Sequence, residues 1–119
     1  GIGRGLAEAF HKRGNKVIIS GRRRANLDEV VAANPGMAAV ELDITDPASI
    51  SAVAARLVAD YPDLNVVINN AGMGTGAQLL ADDVVEKSKL EMDANFYGPM
   101  RMVVAFAPIT STLELLPLK

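Results

Sequence analysis

The sequence predicts an α/β fold, a doubly wound parallel sheet, on two observations. Segments with helical period alternate with short apolar runs along the whole chain, joined by brief connections. The runs are apolar on both faces, as strands must be when helices cover each side of a parallel sheet.

Taken in order, Ile2, Leu6 and Phe10 recur every four positions, one face of a helix entered through Gly1-Ile2-Gly3. Gly14, after Lys12 and Arg13, is its C-terminal stop. Residues 16–20, Lys-Val-Ile-Ile-Ser, are short and β-branched, a buried strand. Residues 26–33 read as a second helix closed by Asn34-Pro35-Gly36, and residues 38–42 as a second strand. A third helix carries the clearest signals: Asp46 to cap it, Pro47 in its first turn, and Ile50, Val53, Ala54, Leu57 and Val58 along one face. Tyr61-Pro62-Asp63 ends it, and residues 64–68 follow as a third strand. After a loop at 70–77, the spacing predicts a long helix over about 82–107, kinked at Gly98-Pro99. Residues 109–119 show no period and are expected to be a tail beyond a domain spanning 1–108.

With 119 residues, half of them apolar, the chain can bury the core of one domain. A net charge of -2 supplies no field for nucleic acid or an anionic membrane surface, so neither is an expected partner. The absence of Cys excludes a disulfide framework and a thiolate metal site, and His11 alone cannot build a zinc site. No apolar run approaches the ~20 residues that span a bilayer, and the chain opens on no leader-like segment. A cytoplasmic protein is the expectation.

Five places carry chemistry. Glycines at a helix entrance, as in Gly1-Ile2-Gly3, let a phosphate approach free N–H groups at the positive end of the helix dipole, although a simple tight turn needs the same residues. Ser20-Gly21-Arg22-Arg23-Arg24 lies at the carboxyl end of the first strand. There an acid selects the ribose 2′-OH and an arginine accommodates a 2′-phosphate; a solvated basic turn is the alternative. Asp43, in Leu42-Asp43-Ile44, ends the second strand and offers either a contact to an adenine edge or an Asx turn. Asn69-Asn70-Ala71-Gly72 stops an apolar run abruptly at a strand's carboxyl end. A structural turn needs only one such residue, and four of them point to a site where backbone approaches a flat ligand. Asn95 sits inside the long helix, where Asn either points to solvent or marks a backbone group released by the Gly98-Pro99 kink.

In this order the five places resemble the short-chain dehydrogenase/reductase family over residues 1–108. Gly1 and Gly3 match the last two glycines of its TGxxxGxG motif, and Asn69-Asn70-Ala71-Gly72 matches its NNAG motif. Asp43 matches the aspartate placed near adenine, Asn95 the asparagine of the catalytic tetrad, and Arg22 the basic residue of NADP-preferring members. Residues 9–15 also resemble oxidoreductases of the DltE type. The resemblance implies a Rossmann-like domain binding NADP, less favourably NAD, through Gly1, Ile2, Gly3, Arg22, Asp43, Ile44 and Asn69, Asn70, Ala71, Gly72. It further implies hydride transfer to or from a small carbonyl or alcohol substrate, and a homo-oligomer.

The departures are equally specific. The family's first strand, its catalytic Ser and its Tyr-x-x-x-Lys have no counterpart in these 119 residues: Tyr61 is followed four positions on by Asn65, and Tyr97 by Arg101. An incomplete fold is therefore expected, lacking the first and the C-terminal strands, and inactive by itself. The rival readings are a non-catalytic dinucleotide-binding or interaction module, and the epimerase/dehydratase branch of the same superfold, which the intact NNAG disfavours.

Overall fold

The computed structural model describes residues 1–110. Their elements are α1 (Ile2–Lys12), β1 (Ile18–Gly21), α2 (Arg24–Ala33), β2 (Ala38–Glu41), α3 (Pro47–Asp60), α4 (Val84–Met92), a π-helical turn (Asp93–Tyr97) and α5 (Gly98–Thr110). The chain forms two compact units, residues 1–43 and residues from 44 onward.

In the first unit β1 and β2 pair in parallel, with Ile18 opposite Ala38 and Gly21 opposite Glu41. The ladder continues past both ends: Ala38 N–H donates to Val17 C=O and Leu42 N–H to Gly21 C=O, each at 3.0 Å. A parallel pair needs a crossover, and α2 supplies it. Its Leu27 and Val30, with Met37, Val40 and Leu42, form the buried core here. Gly36, at φ +94°, makes the turn that delivers the chain from α2 to β2.

Helix α1 ends as the sequence predicts, on Gly14 at φ +86°, with the Phe10 carbonyl accepting from both Arg13 N–H and Asn15 N–H. Its ties to α2 and the following turn are polar. Arg4 pairs with Glu29 at 2.8 Å and Glu8 at 3.0 Å, while Glu8 accepts from the buried Asn34 amide at 3.1 Å. His11 Nε2 lies 3.1 Å from the Pro35 carbonyl, which can only accept, so Nε2 carries the proton. The apolar face of α1 stays open, with Ile2, Leu6 and Phe10 all exposed.

In the second unit α3 packs against α5. Asp46 caps α3 by accepting from Ala48 N–H at 2.9 Å, and Pro47 begins it. Ile50, Val53, Ala54 and Leu57 are buried, as are Ala94, Met102 and Phe106.

Two expectations need correction. Residues 64–68 form no strand: they are irregular, with Val66 63% and Ile68 49% exposed. A strand exists only through its ladder, and among the described residues none pairs with this run, so β-branched composition alone does not make it one. The irregularity in the long helix is a π turn at Asp93–Tyr97, just before Gly98-Pro99. Gly98 N–H donates five residues back to Asp93 C=O. Pro99 has no N–H for the Asn95 carbonyl, so the regular register cannot run through this point. Residues 109 and 110 complete α5, and the rest of the expected tail lies outside the described residues.

Candidate functional site

The residues singled out in the sequence fall into one set in each compact unit. In the first unit, Gly1 is the cap residue of α1, and among the described residues no side chain caps it. The first turn carries no acid, and a Cβ added to Gly1 meets nothing within 4 Å. Gly1 and Ile2 are exposed and Gly3 half-buried. A helix start entered through glycine and without negative charge in its first turn fits an anion. Arg22 is the first residue past the carboxyl end of β1, exposed, and in no ion pair among the described residues. Arg24 is committed to Asp28 at 2.8 Å, which leaves Arg22 and Arg23 as the open guanidinium groups of the triplet. Asp43, half-buried and itself engaged, follows β2.

The second set is held together by side chains. Asn69, Asn70, Ala71 and Gly72 are exposed, and neither of those two Asn side chains bonds to a described residue. Asn95, in the π turn, does the tying. Its Oδ1 accepts from Met73 N–H at 2.8 Å and its Nδ2 donates to Met73 C=O at 2.7 Å, so one carboxamide satisfies both backbone groups of one loop residue. Gly72 is packed against the same group, since a Cβ there would lie 3.2 Å from Asn95 Oδ1. Ile44 fixes the other side of the helix. A Cβ on Gly98 would come within 3.0 Å of Ile44 Cδ1 and 3.1 Å of its carbonyl oxygen, so only Gly lets α5 begin against Ile44.

Four residues before Asn95, Glu91 makes a second tie. Its Oε1 accepts from both the Thr75 N–H and the Thr75 hydroxyl, each at 2.6 Å. These bonds, the hydroxyl first and the amide second, hold the Glu91 carboxyl below its ordinary pKa. Sequence reasoning missed Met73, Thr75 and Glu91. The available signal was Gly72-Met73-Gly74-Thr75-Gly76-Ala77, in which glycines alternate with larger residues. In the structure Met73, Thr75 and Ala77 are half-buried while the three glycines are exposed. Gly76, at φ +68°, ends the run in a conformation that favours glycine.

Among the described residues Tyr97 has no lysine partner. Arg101 pairs with Asp93 at 2.7 Å, bracing the π turn, with its guanidinium 5.9 Å from the Tyr97 ring centroid. Among the described residues no group of His, Cys, Asp or Glu could hold a metal ion, and no helix is long and apolar enough to cross a membrane.

A family model described as enoyl-(acyl carrier protein) reductase matches residues 1–113. Dehydrogenase/reductase SDR family member 7B of Mus musculus is 30% identical over 116 residues, covering 91% of this chain and 36% of that protein. The NADPH-dependent 1-acyldihydroxyacetone phosphate reductase of Schizosaccharomyces pombe is 37% identical over 108 residues, covering 89% and 35%. The uncharacterized oxidoreductase DltE of Bacillus subtilis is 32% identical over 116 residues, covering 91% and 43%. The chain thus spans well under half the length of these relatives. Among solved structures, serine dehydrogenase from Escherichia coli superposes with a TM-score of 0.84 at 28% identity, over 95% of this chain and 52% of that one. A closed form of serine dehydrogenase complexed with NADP+ superposes at 0.81 and 28%, over 93% and 46%.

Proposed function

The chain belongs to the short-chain dehydrogenase/reductase family, and on that premise we propose that it is the cofactor-binding part of an oxidoreductase using NADP(H). A bound nicotinamide supplies or accepts the hydride exchanged with a small carbonyl or alcohol compound. The α1 start at Gly1-Ile2-Gly3 receives the pyrophosphate, Arg22 the 2′-phosphate, and Asp43 with Ile44 the adenine. Asn69, Asn70, Ala71 and Gly72 line the adenosine side, and Asn95 is the one member of the catalytic tetrad in the chain. Residues 1–108 act as one dinucleotide-binding domain, and the complete protein is a homo-oligomer. Support for the cofactor comes from relatives: one is named as NADPH-dependent and one similar structure holds NADP+.

One observation carries the choice of NADP over NAD. At the carboxyl end of β1 stands Gly21 rather than an acid, followed by an exposed arginine in no ion pair among the described residues. A charge-assisted bidentate contact is worth ~1.5–3 kcal/mol, hence a preference of tenfold or more for NADPH over NADH. The Arg22→Ala variant is expected to lose most of that preference while still binding NADH. Equal dissociation constants for both cofactors in the unsubstituted protein would overturn the assignment.

The second reading is a dinucleotide-binding module without turnover, favoured by the lack of any Tyr-x-x-x-Lys in these 119 residues. With no tyrosine poised by a lysine to exchange the substrate proton, the chain by itself is expected to bind NADPH without oxidising it. Sustained NADPH oxidation against a panel of small carbonyl compounds would contradict that expectation.

A further inference from the structure

We propose that Glu91, through Thr75, is a positioning residue for the loop that follows Asn69-Asn70-Ala71-Gly72, the second of two clamps of which Asn95 on Met73 is the first. The inference rests on the reading that this loop faces the dinucleotide.

The two clamps match in spacing. Glu91 in α4 and Asn95 in the π turn are four residues apart, roughly one helical turn and about 5–6 Å along the axis. Their targets, Met73 and Thr75, are two residues apart, and two residues of extended chain span about 6.6 Å. Helix and loop therefore run in step over this stretch, and Met73 and Thr75 each meet a helix side chain. The burial follows the same beat, with Met73 and Thr75 half-buried and Gly72, Gly74 and Gly76 exposed. A Cβ added at Gly74 or Gly76 would meet nothing within 4 Å, so the loop edge away from the clamps is bare backbone in open space.

The clamps differ in kind. Asn95 is neutral and grips a donor and an acceptor of Met73. Glu91 is an acceptor only and gathers two donors of Thr75 on one oxygen. With 64–78 outside any ladder among the described residues, these side chains stand in for strand pairing in fixing the loop. A loop held in one conformation before its ligand arrives loses less entropy on binding, so Glu91 acts on affinity without touching the ligand.

The test combines amide hydrogen exchange with NADPH titration by calorimetry, on the unsubstituted protein and on Glu91→Ala, Glu91→Gln and Thr75→Val, with melting temperature as the control for folding. In Glu91→Ala, Thr75 N–H is expected to exchange at least about tenfold faster, with Met73 N–H, still held by Asn95, changing less than about threefold. The dissociation constant for NADPH is expected to rise about fivefold. Glu91→Gln, whose amide oxygen still accepts, is expected to recover most of both effects. Thr75→Val, which keeps the amide and loses the hydroxyl, is expected to fall between. Unchanged exchange in Glu91→Ala would show that the clamp is absent in solution and overturn the inference. Faster exchange with unchanged NADPH affinity would overturn the positioning role alone. An unsubstituted protein that binds neither NADPH nor NADH would overturn the cofactor reading itself, a result distinct from the other two.

Discussion

The segment that forms β1 and the apolar run at 64–68 look alike in sequence and end differently. Val17, Ile18 and Ile19 lie in or beside a parallel ladder with residues 38–41. Val66, Val67 and Ile68 have the same β-branched character and pair with nothing among the described residues. Composition gives both runs the tendency to extend, but a ladder is made by two segments. For the first run the partner follows within one crossover helix. The second has no such partner among the described residues, and the ties nearest to it lie beyond its end, where Asn95 and Glu91 hold Met73 and Thr75. One region is built by backbone pairing and the other by side chains reaching from a helix.

Truncations in apolar residues sharpen that contrast most. Ile50, 2% exposed on α3, is the most buried large side chain described. The Ile50→Ala variant is expected to lose ~3–4 kcal/mol of unfolding free energy, the transfer and cavity terms of a buried aliphatic. Val66→Ala is expected to cost under ~0.5 kcal/mol, because Val66 is 63% exposed and little surface returns to water. Urea titrations of the two variants give the comparison directly. Costs of similar size would mean that residues 64–68 are paired and buried in solution.

A smaller loss is expected where α5 starts. In Gly98→Val the branched side chain must enter space already taken by Ile44 and by the Asp93 carbonyl, 3.2 Å from an added Cβ. Overpacking of this kind costs ~1–3 kcal/mol, and ~2 kcal/mol is the expected loss in the same titration. Stability equal to that of the unsubstituted protein would show that the π turn relaxes freely.

How much was legible in the sequence follows the same division. Helix α3 was readable because Asp46, Pro47 and the Ile50–Leu57 face are local signals, except that Val58, read onto the same face, is exposed at the far edge of the stripe. The elements of the β1–α2–β2 unit were readable because its partner strands are near neighbours in sequence, but the burial expected of the first strand was not met: no residue of β1 is fully buried. The third strand was misread, since pairing is not a local property. In the candidate site, Asn69-Asn70-Ala71-Gly72 and Asn95 stood out as residues ill-suited to their predicted elements. Their connection did not, because Asn95 reaches back 22 positions to Met73, and Glu91 reaches back 16 to Thr75. Glutamate is a good helix former and mostly solvent-facing, so nothing in its own neighbourhood distinguished Glu91.

The smallest expected effect is also the most selective, and it compares one carboxylate in each unit. Glu8 lies below its ordinary pKa because Arg4 bonds to it, with the Asn34 amide second. Glu91 lies below its own because Thr75 donates a hydroxyl and an amide, with no cation among the causes. Both have folded pKa values depressed from 4.5, so each contributes stability that is fully present above that value. The contribution is lost as pH falls through the depressed folded value. The melting-temperature gap between the unsubstituted protein and Glu8→Gln, or Glu91→Gln, is therefore expected to narrow as pH falls below about 4.5. Salt separates the two. Mobile ions screen an exposed charge pair, the Debye length falling from about 10 Å at 0.1 M to 3 Å at 1 M. A carboxylate held by neutral donors loses far less to screening. At pH 7, raising salt from 0.1 to 1 M is expected to shrink the Glu8→Gln gap and leave the Glu91→Gln gap nearly unchanged. An equal response at both positions would mean that a cation, rather than Thr75, holds Glu91 ionised, and that the two regions are ordered by the same force.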